Sequence, residues 1–153
     1  IHKLDKSKIN FDFSKGILIH GGGWKKMASL NISNTKFKEK LRNSLKIENV
    51  YNYYGLIEQT GSIFFECKAC GCFNPSEYSD VIIRDENFNM LPAKKKGYLQ
   101  LISLLPTSYP GHSILTEDLG EIIENNCREC KGKKKFLVHG RIEQSEVRGC
   151  SDV

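Results

Sequence analysis

The stretch Tyr53-Tyr54-Gly55-Leu56-Ile57-Glu58-Gln59-Thr60-Gly61 brings together aromatic rings, glycines, a carboxylate and an amide. A tyrosine face beside Gly55 can stack on a flat ring. Glu58, three residues on, can hold a cation or a metal bound to phosphate. Glu58, Gln59 and Thr60 are too polar for an ordinary core strand, and the glycines argue against a helix. The plain alternative is a strand ending in a turn, because short motifs recur by chance.

The second chemical feature is six cysteines. Cys67-x-x-Cys70 and Cys127-x-x-Cys130 are two chelating pairs, and each can offer a metal two thiolates from one turn. Together they complete a tetrahedral Zn²⁺ site, provided the fold brings the pairs together across a longer gap than a simple zinc ribbon has. Cys72 can replace Cys67 or Cys70, since Cys70-x-Cys72 is also a workable bite. Four thiolates leave no open position, so such a zinc is structural. Disulfides and free buried cysteines are the alternatives. The first is disfavoured in a cytosolic setting and the second asks nothing of the spacing. Cys150 stands apart in Arg148-Gly149-Cys150-Ser151-Asp152, where Arg148 favours the thiolate and a mobile tail can carry it; an incidental exposed cysteine is the competing reading.

Gly21-Gly22-Gly23 follow the apolar run Gly16-Ile17-Leu18-Ile19-His20. They let a backbone approach a ligand closely, or make a tight turn. Lys25 and Lys26 come after Trp24, but the spacing of a phosphate-binding Walker loop is absent. His20 reads first as structural and second as a pocket residue, and His112 first as a loop-ordering residue. The net charge of +5 is concentrated in Lys94-Lys95-Lys96 and in Lys131, Lys133, Lys134 and Lys135. These runs read as solvated loops; nucleic-acid binding is the sharper reading, and a basic rim that attracts ATP or an acidic partner is a third. Nucleic acid is not expected, since no aromatic residues interleave with the lysines and no nucleic-acid module is spelled out.

The elements that must position these groups are mostly strands. A chain of 153 residues with 39% hydrophobic content can bury a core. No apolar run approaches the roughly 18 residues of a membrane span, and no signal segment opens the chain. A soluble, cytoplasmic protein is expected. Thr35 to Lys46 is a helix with an apolar stripe of Phe37, Leu41 and Leu45, capped by Thr35 or Asn34. Strands are predicted at 16–20, 50–53, 62–65, 78–84, 97–105, 121–123 and 135–142, with a hairpin loop over 85–96. The expected fold is α+β and strand-rich, a strongly bent sheet or open barrel with one clear helix near the N-terminus.

The order Tyr-Gly-x-x-Glu at 54–58, Thr116-Glu117-Asp118-Leu119-Gly120 and Gly140-Arg141 resembles that of adenylate-forming enzymes. Three longer blocks resemble the LuxE-type acyl-protein synthetases: Tyr54 to Gly61, Leu104 to Asp118 through Pro110-Gly111-His112, and Arg148 to Asp152. The resemblance covers nearly the whole chain and implies the distorted, barrel-like last part of a large adenylation domain. It also implies ATP/AMP and Mg²⁺ as cofactors, a carboxylic, typically fatty, acid as substrate and an acyl-reductase-type protein as partner. Glu58 is then the magnesium-side carboxylate and Tyr54, beside Gly55, lies against the adenine. Asp118 accepts from both ribose hydroxyls, Arg141 adds a contact to ribose or phosphate, and Gly21, Gly22 and Gly23 line the acyl-adenylate pocket. Cys150 holds the acyl group.

The chain departs from that pattern where the triphosphate-wrapping loop and the small C-terminal domain with its catalytic lysine are missing. The paired cysteines are a further departure. The division expected is a linker or lead-in segment over 1–15, the C-terminal part of the large adenylation domain over 16–142, and a tail over 143–153. Alone, such a fragment is expected to bind AMP weakly and to leave adenylation incomplete. Two other readings stay open: a zinc-stabilised, non-catalytic binding module, and an aryl-acid coenzyme A ligase of the phenylacetate type, in which Cys150 is not acylated.

Overall fold

The computed structural model describes residues 12–21, 32–107, 110–130 and 132–142. The chain divides into two compact units, Ile1–Asn52 and Tyr53–Val153. Among the described residues there are eight strands and one α-helix, the strand-rich α+β composition expected.

The first unit holds β1 (Ile17–Gly21), α1 (Asn34–Leu45) and the start of β2 (Asn49–Tyr54). Phe37, Leu41 and Leu45 form the predicted stripe and pack with Leu18, Ile47 and Val50. The cap is neither Thr35 nor Asn34. Ser33 has the extended backbone that a cap requires, and its Oγ accepts from Lys36 N at 3.3 Å. The helix stops one residue early because Lys46 turns left-handed (φ 56°), its N–H donating to Arg42 O.

The second unit is an antiparallel sheet. From the end of β2 its hydrogen-bonded order is β2-β3-β4-β8-β7-β6-β5. The strands are β3 (Phe64–Glu66), β4 (Phe73–Asn74), β5 (Ser79–Arg84), β6 (Gly97–Ser103), β7 (Ser113–Ile122) and β8 (Phe136–Arg141). Alternate residues of β5 and β6 point inward, so Val81, Ile83, Leu99 and Leu101 join Phe64, Phe73 and Phe136 in one core. The strand predicted at 121–123 begins earlier and takes in the acidic motif at 116–120. The motif lies within the ten-residue β7, whose bulge at Leu119/Gly120 accommodates it. Gly120 is required there, since a Cβ would stand 2.8 Å from both Leu137 O and Leu99 Cδ1. The hairpin loop after β5 is tied by Asp85, whose Oδ1 accepts from Asn87 N and Asn89 N.

The sheet is curled. Four inter-strand steps separate β2 from β7, roughly 19 Å along a flat sheet. Yet Tyr54 Oη on β2 stands 2.6 Å from Asp118 Oδ2 on β7. Only strong bending around the aromatic core permits this contact, and it sets the functional geometry.

The lysine runs behave differently from one another. Lys94, Lys95 and Lys96 are exposed as expected. Lys135 is not part of a solvated face: it is buried, and its Nζ donates to Asn125 O at 2.6 Å. Lys135 lies just before β8, and the Asn125 carbonyl partners its ammonium there. No described helix is long and apolar enough to cross a membrane.

Candidate functional site

Asp118 sits in mid β7 with its side chain 17% exposed. Oδ2 accepts the Tyr54 hydroxyl, and Oδ1 faces Arg141 Nε at 4.0 Å. Arg141 is directly opposite Asp118 in the β7–β8 register and also lies 3.9 Å from Glu117 Oε2. Two residues before Asp118, Thr116 Oγ1 accepts from Asp118 N and donates to Leu99 O. Tyr54 thus orients the carboxylate and Arg141 faces it, while Thr116 fixes its backbone; lone pairs are left to spare, since an ionised carboxylate offers about four acceptor positions. It can accept from a diol that approaches the exposed side.

Tyr54 is held behind it. Its ring packs against Phe64, Phe73 and Phe136, with centroids 6.1 to 6.2 Å away. Burial first, and then the neighbouring Asp118 charge, raise the phenol well above its ordinary 10.0. The hydroxyl is therefore a permanent donor. Because the native state keeps this proton where the unfolded chain loses it, the stability Tyr54 lends is complete below pH 10 and falls as the pH climbs beyond it. The stability gap between wild type and Tyr54→Phe is expected to narrow between pH 8 and pH ~10.5 in urea unfolding. A constant or widening gap would contradict this placement of the proton.

The central stretch leaves β2 through Gly55 and forms a 3-10 turn over Ile57–Gln59. Glu58 is exposed on that turn. Gln59, which the sequence marked only as polar, is fully buried, and its Nε2 donates to Leu101 O (3.3 Å) and Gly111 O (2.8 Å). It clamps the turn to β6 and to the loop before β7. Ser62 and Ser103 add a buried hydroxyl pair. His112 is exposed, while its carbonyl accepts from Ser103 N. In the first unit, Gly21 ends β1 and His20 stands edge-on to Phe37. Gly22, Gly23 and Cys150 lie outside the described residues.

The cysteines form a second cluster. Cys67 and Cys70 lie in the β3–β4 turn, Cys127 and Cys130 in the β7–β8 connection, and their four Sγ atoms all fall within 4.8 Å of one another. Cys72 is buried and turned aside, its Sγ 3.7 Å from Cys70 O and 3.8 Å from Asn125 Nδ2. Burial pushes the Cys72 thiol up to about 11. Cys70 is brought down to about 7: burial acts against this and is outweighed by hydrogen bonds from the Cys72 backbone and the Cys130, Cys67 and Cys127 thiols. A cleft of about 350 Å³ borders Cys67 and Cys130 and is lined by Phe65, Glu66, Asn74 and Lys133. It lies apart from Tyr54 and Asp118.

A family model described as "Acyl-protein synthetase, LuxE" matches residues 1–153. No curated protein sequence matches the chain. Solved structures share its fold. One is a 2-hydroxyisobutyryl-CoA ligase in complex with 2-HIB-AMP and CoA: TM-score 0.65, 16% identity, 84% of this chain and 30% of that one covered. Another is McyG A-PCP with phenylalanyl-adenylate, at TM-score 0.58 and 19% identity over 93% of this chain and 27% of that one. A third is apo MatB from Rhodopseudomonas palustris, at TM-score 0.56 and 14% identity over 83% and 26%. The chain thus has the fold of a part of the adenylate-forming enzymes and spans under a third of the length of these three structures.

Proposed function

Because the chain belongs to the LuxE acyl-protein synthetase family, we propose that it is the C-terminal part of an ATP-dependent acid–thiol ligase and holds the nucleotide of the acyl-adenylate. The observation that carries this reading is Asp118, fixed by Tyr54, Thr116 and Arg141 with acceptor capacity left over. In this reading Asp118 accepts from both ribose hydroxyls. Tyr54, with Gly55 beside it, lies at the adenine and keeps Asp118 in place. Arg141 contacts ribose or phosphate. Glu58, exposed on its turn, is the carboxylate that meets Mg²⁺, and Gln59 fixes the turn that carries it. Mg²⁺ would offset the charge that builds on the phosphate oxygens.

The substrate proposed is a fatty carboxylic acid. Its carboxylate oxygen attacks the α-phosphorus of ATP, the bond to the bridging oxygen breaks, and pyrophosphate leaves. The Cys150 thiolate then attacks the acyl carbonyl, a thioester forms, and AMP departs. An acyl-reductase-type protein is the proposed recipient of the acyl group. Arg148, two residues before Cys150, favours the thiolate.

Intact-protein mass spectrometry of the full-length synthetase tests this. With ATP, Mg²⁺ and a long-chain fatty acid but no coenzyme A, the mass is expected to rise by one acyl group, and Cys150→Ala is expected to abolish the rise. An unmodified protein that forms acyl-coenzyme A once coenzyme A is added would point instead to an acid–coenzyme A ligase.

A further inference from the structure

We propose that Cys67, Cys70, Cys127 and Cys130 bind one Zn²⁺ in a closed four-thiolate site that clamps the weakest junction of the sheet and so keeps Tyr54 on Asp118. Four sulfurs bound to zinc at about 2.3 Å stand about 3.8 Å apart. Here Cys67 Sγ and Cys127 Sγ are 3.8 Å apart, and Cys70 Sγ and Cys130 Sγ 3.6 Å. Disulfide bonds, at about 2.05 Å, would need these sulfurs far closer. The thiols are free.

The first pair sits in one hydrogen-bonded turn, and Cys130 opens another. In the first, Gly71 N donates to Cys67 O at 2.8 Å, with Gly71 in the left-handed region (φ 71°). In the second, Lys133 N donates to Cys130 O at 2.9 Å, around Gly132 (φ 66°). Lys68 and Arg128 lie inside the two pairs and complement the net negative charge of a zinc tetrathiolate. Glu129 Oε2, 3.6 Å from Cys67 Sγ, belongs to an exposed side chain that can turn to water when the thiol proton leaves. Metal binding forms four Zn–S bonds and releases the thiol protons to solvent.

The location gives the site its consequence. β4 has two residues and meets β8 through a single register pair, Phe73 with Phe136. On one side of that junction are β2 and β3 with Tyr54, and on the other are β8 and β7 with Arg141 and Asp118. The metal joins the turn before β4 to the connection before β8, beside the single pair. Beside this pair the seam is otherwise held by the aromatic core, the Asn74 contacts to Lys134 O and Cys130 Sγ and the Asn125 contact to Cys72 Sγ, while Gln59 and Ser62 tie the far end of the same half to β6.

The test needs no nucleotide, so it stands or falls apart from the proposed ligase activity. The intact protein, made in zinc-supplemented medium and purified with a non-chelating reductant, is expected to carry one zinc per chain. Its apoprotein is expected to take up one Co²⁺ with the thiolate charge-transfer and intense d–d bands of a tetrahedral tetrathiolate, displaced by zinc. Cys72→Ser keeps one equivalent. Cys127→Ser loses at least tenfold in cobalt affinity. A wild-type protein that takes up neither metal stoichiometrically overturns the site, without reference to whether any variant folds. The clamp is tested by a Tyr54→Phe, Asp118→Asn double-mutant cycle on thermal stability, where chelation is expected to reduce the coupling by more than half. Equal coupling with and without metal overturns the clamp.

Discussion

Asp118→Asn in the full-length synthetase slows ATP–pyrophosphate exchange by about 10- to 100-fold. The carboxylate is the acceptor for two ribose hydroxyls in the proposed site, and its Tyr54 hydrogen bond shows that it is already oriented. Hydrogen bonds to a charged group contribute about 1.5–3 kcal/mol, which corresponds to that range of rate or affinity. The isosteric amide preserves shape and leaves the fold intact. The loss should fall mainly on KM for ATP, because ribose contacts are shared by ground and transition states. Tyr54→Phe removes only the orienting bond and should cost less. Exchange measured with saturating fatty acid checks both, and an unchanged exchange rate in Asp118→Asn would remove Asp118 from the site.

Phe136→Ala destabilises the second unit by about 3–5 kcal/mol, the usual cost of emptying a fully buried aromatic position. Phe136 is completely buried. It meets Phe64 edge-on at 5.4 Å, Phe73 at 5.7 Å and Tyr54 at 6.2 Å, and it supplies one half of the only β4–β8 register pair. The damage is therefore both a cavity and a weakened seam. Since Tyr54 loses one of its three aromatic neighbours, the phenol should also become more exposed. Urea unfolding followed by circular dichroism gives the first effect. Solvent-perturbation tyrosine absorbance gives the second. A loss below about 1 kcal/mol would mean that the core closes over the missing ring.

The sequence made some of this legible and hid the rest for physical reasons. The stripe of Phe37, Leu41 and Leu45 announces α1 because helical periodicity is a local signal. Its cap is less so: Ser33, Asn34 and Thr35 are all competent, and the backbone conformation decides between them. Strands β5 and β6 are visible as alternating runs, but the two-residue β4 is too short to leave any period. Asp118 and Arg141 stood out through the order of their motifs, and the β7–β8 register makes them neighbours. The Tyr54–Asp118 contact could not be read from the chain, since it depends on the curl of the sheet. Gln59 shows the same limit. A glutamine among polar neighbours reads as solvent-facing, and only the tertiary placement of Leu101 O and Gly111 O gives its amide two buried partners. The cysteine pairs were plain from spacing, whereas their convergence from the β3–β4 turn and the β7–β8 connection is a property of the fold.

In the proposed function, the Asp118 side of the sheet binds the nucleotide part of an acyl-adenylate. Isothermal titration of the chain with a non-hydrolysable fatty acyl-sulfamoyl adenosine tests it most directly, with Asp118→Asn as the paired control. Saturable one-to-one binding, weakened at least tenfold in the variant, is the expected result. Equal affinity in the two proteins, or no binding by either, would contradict it.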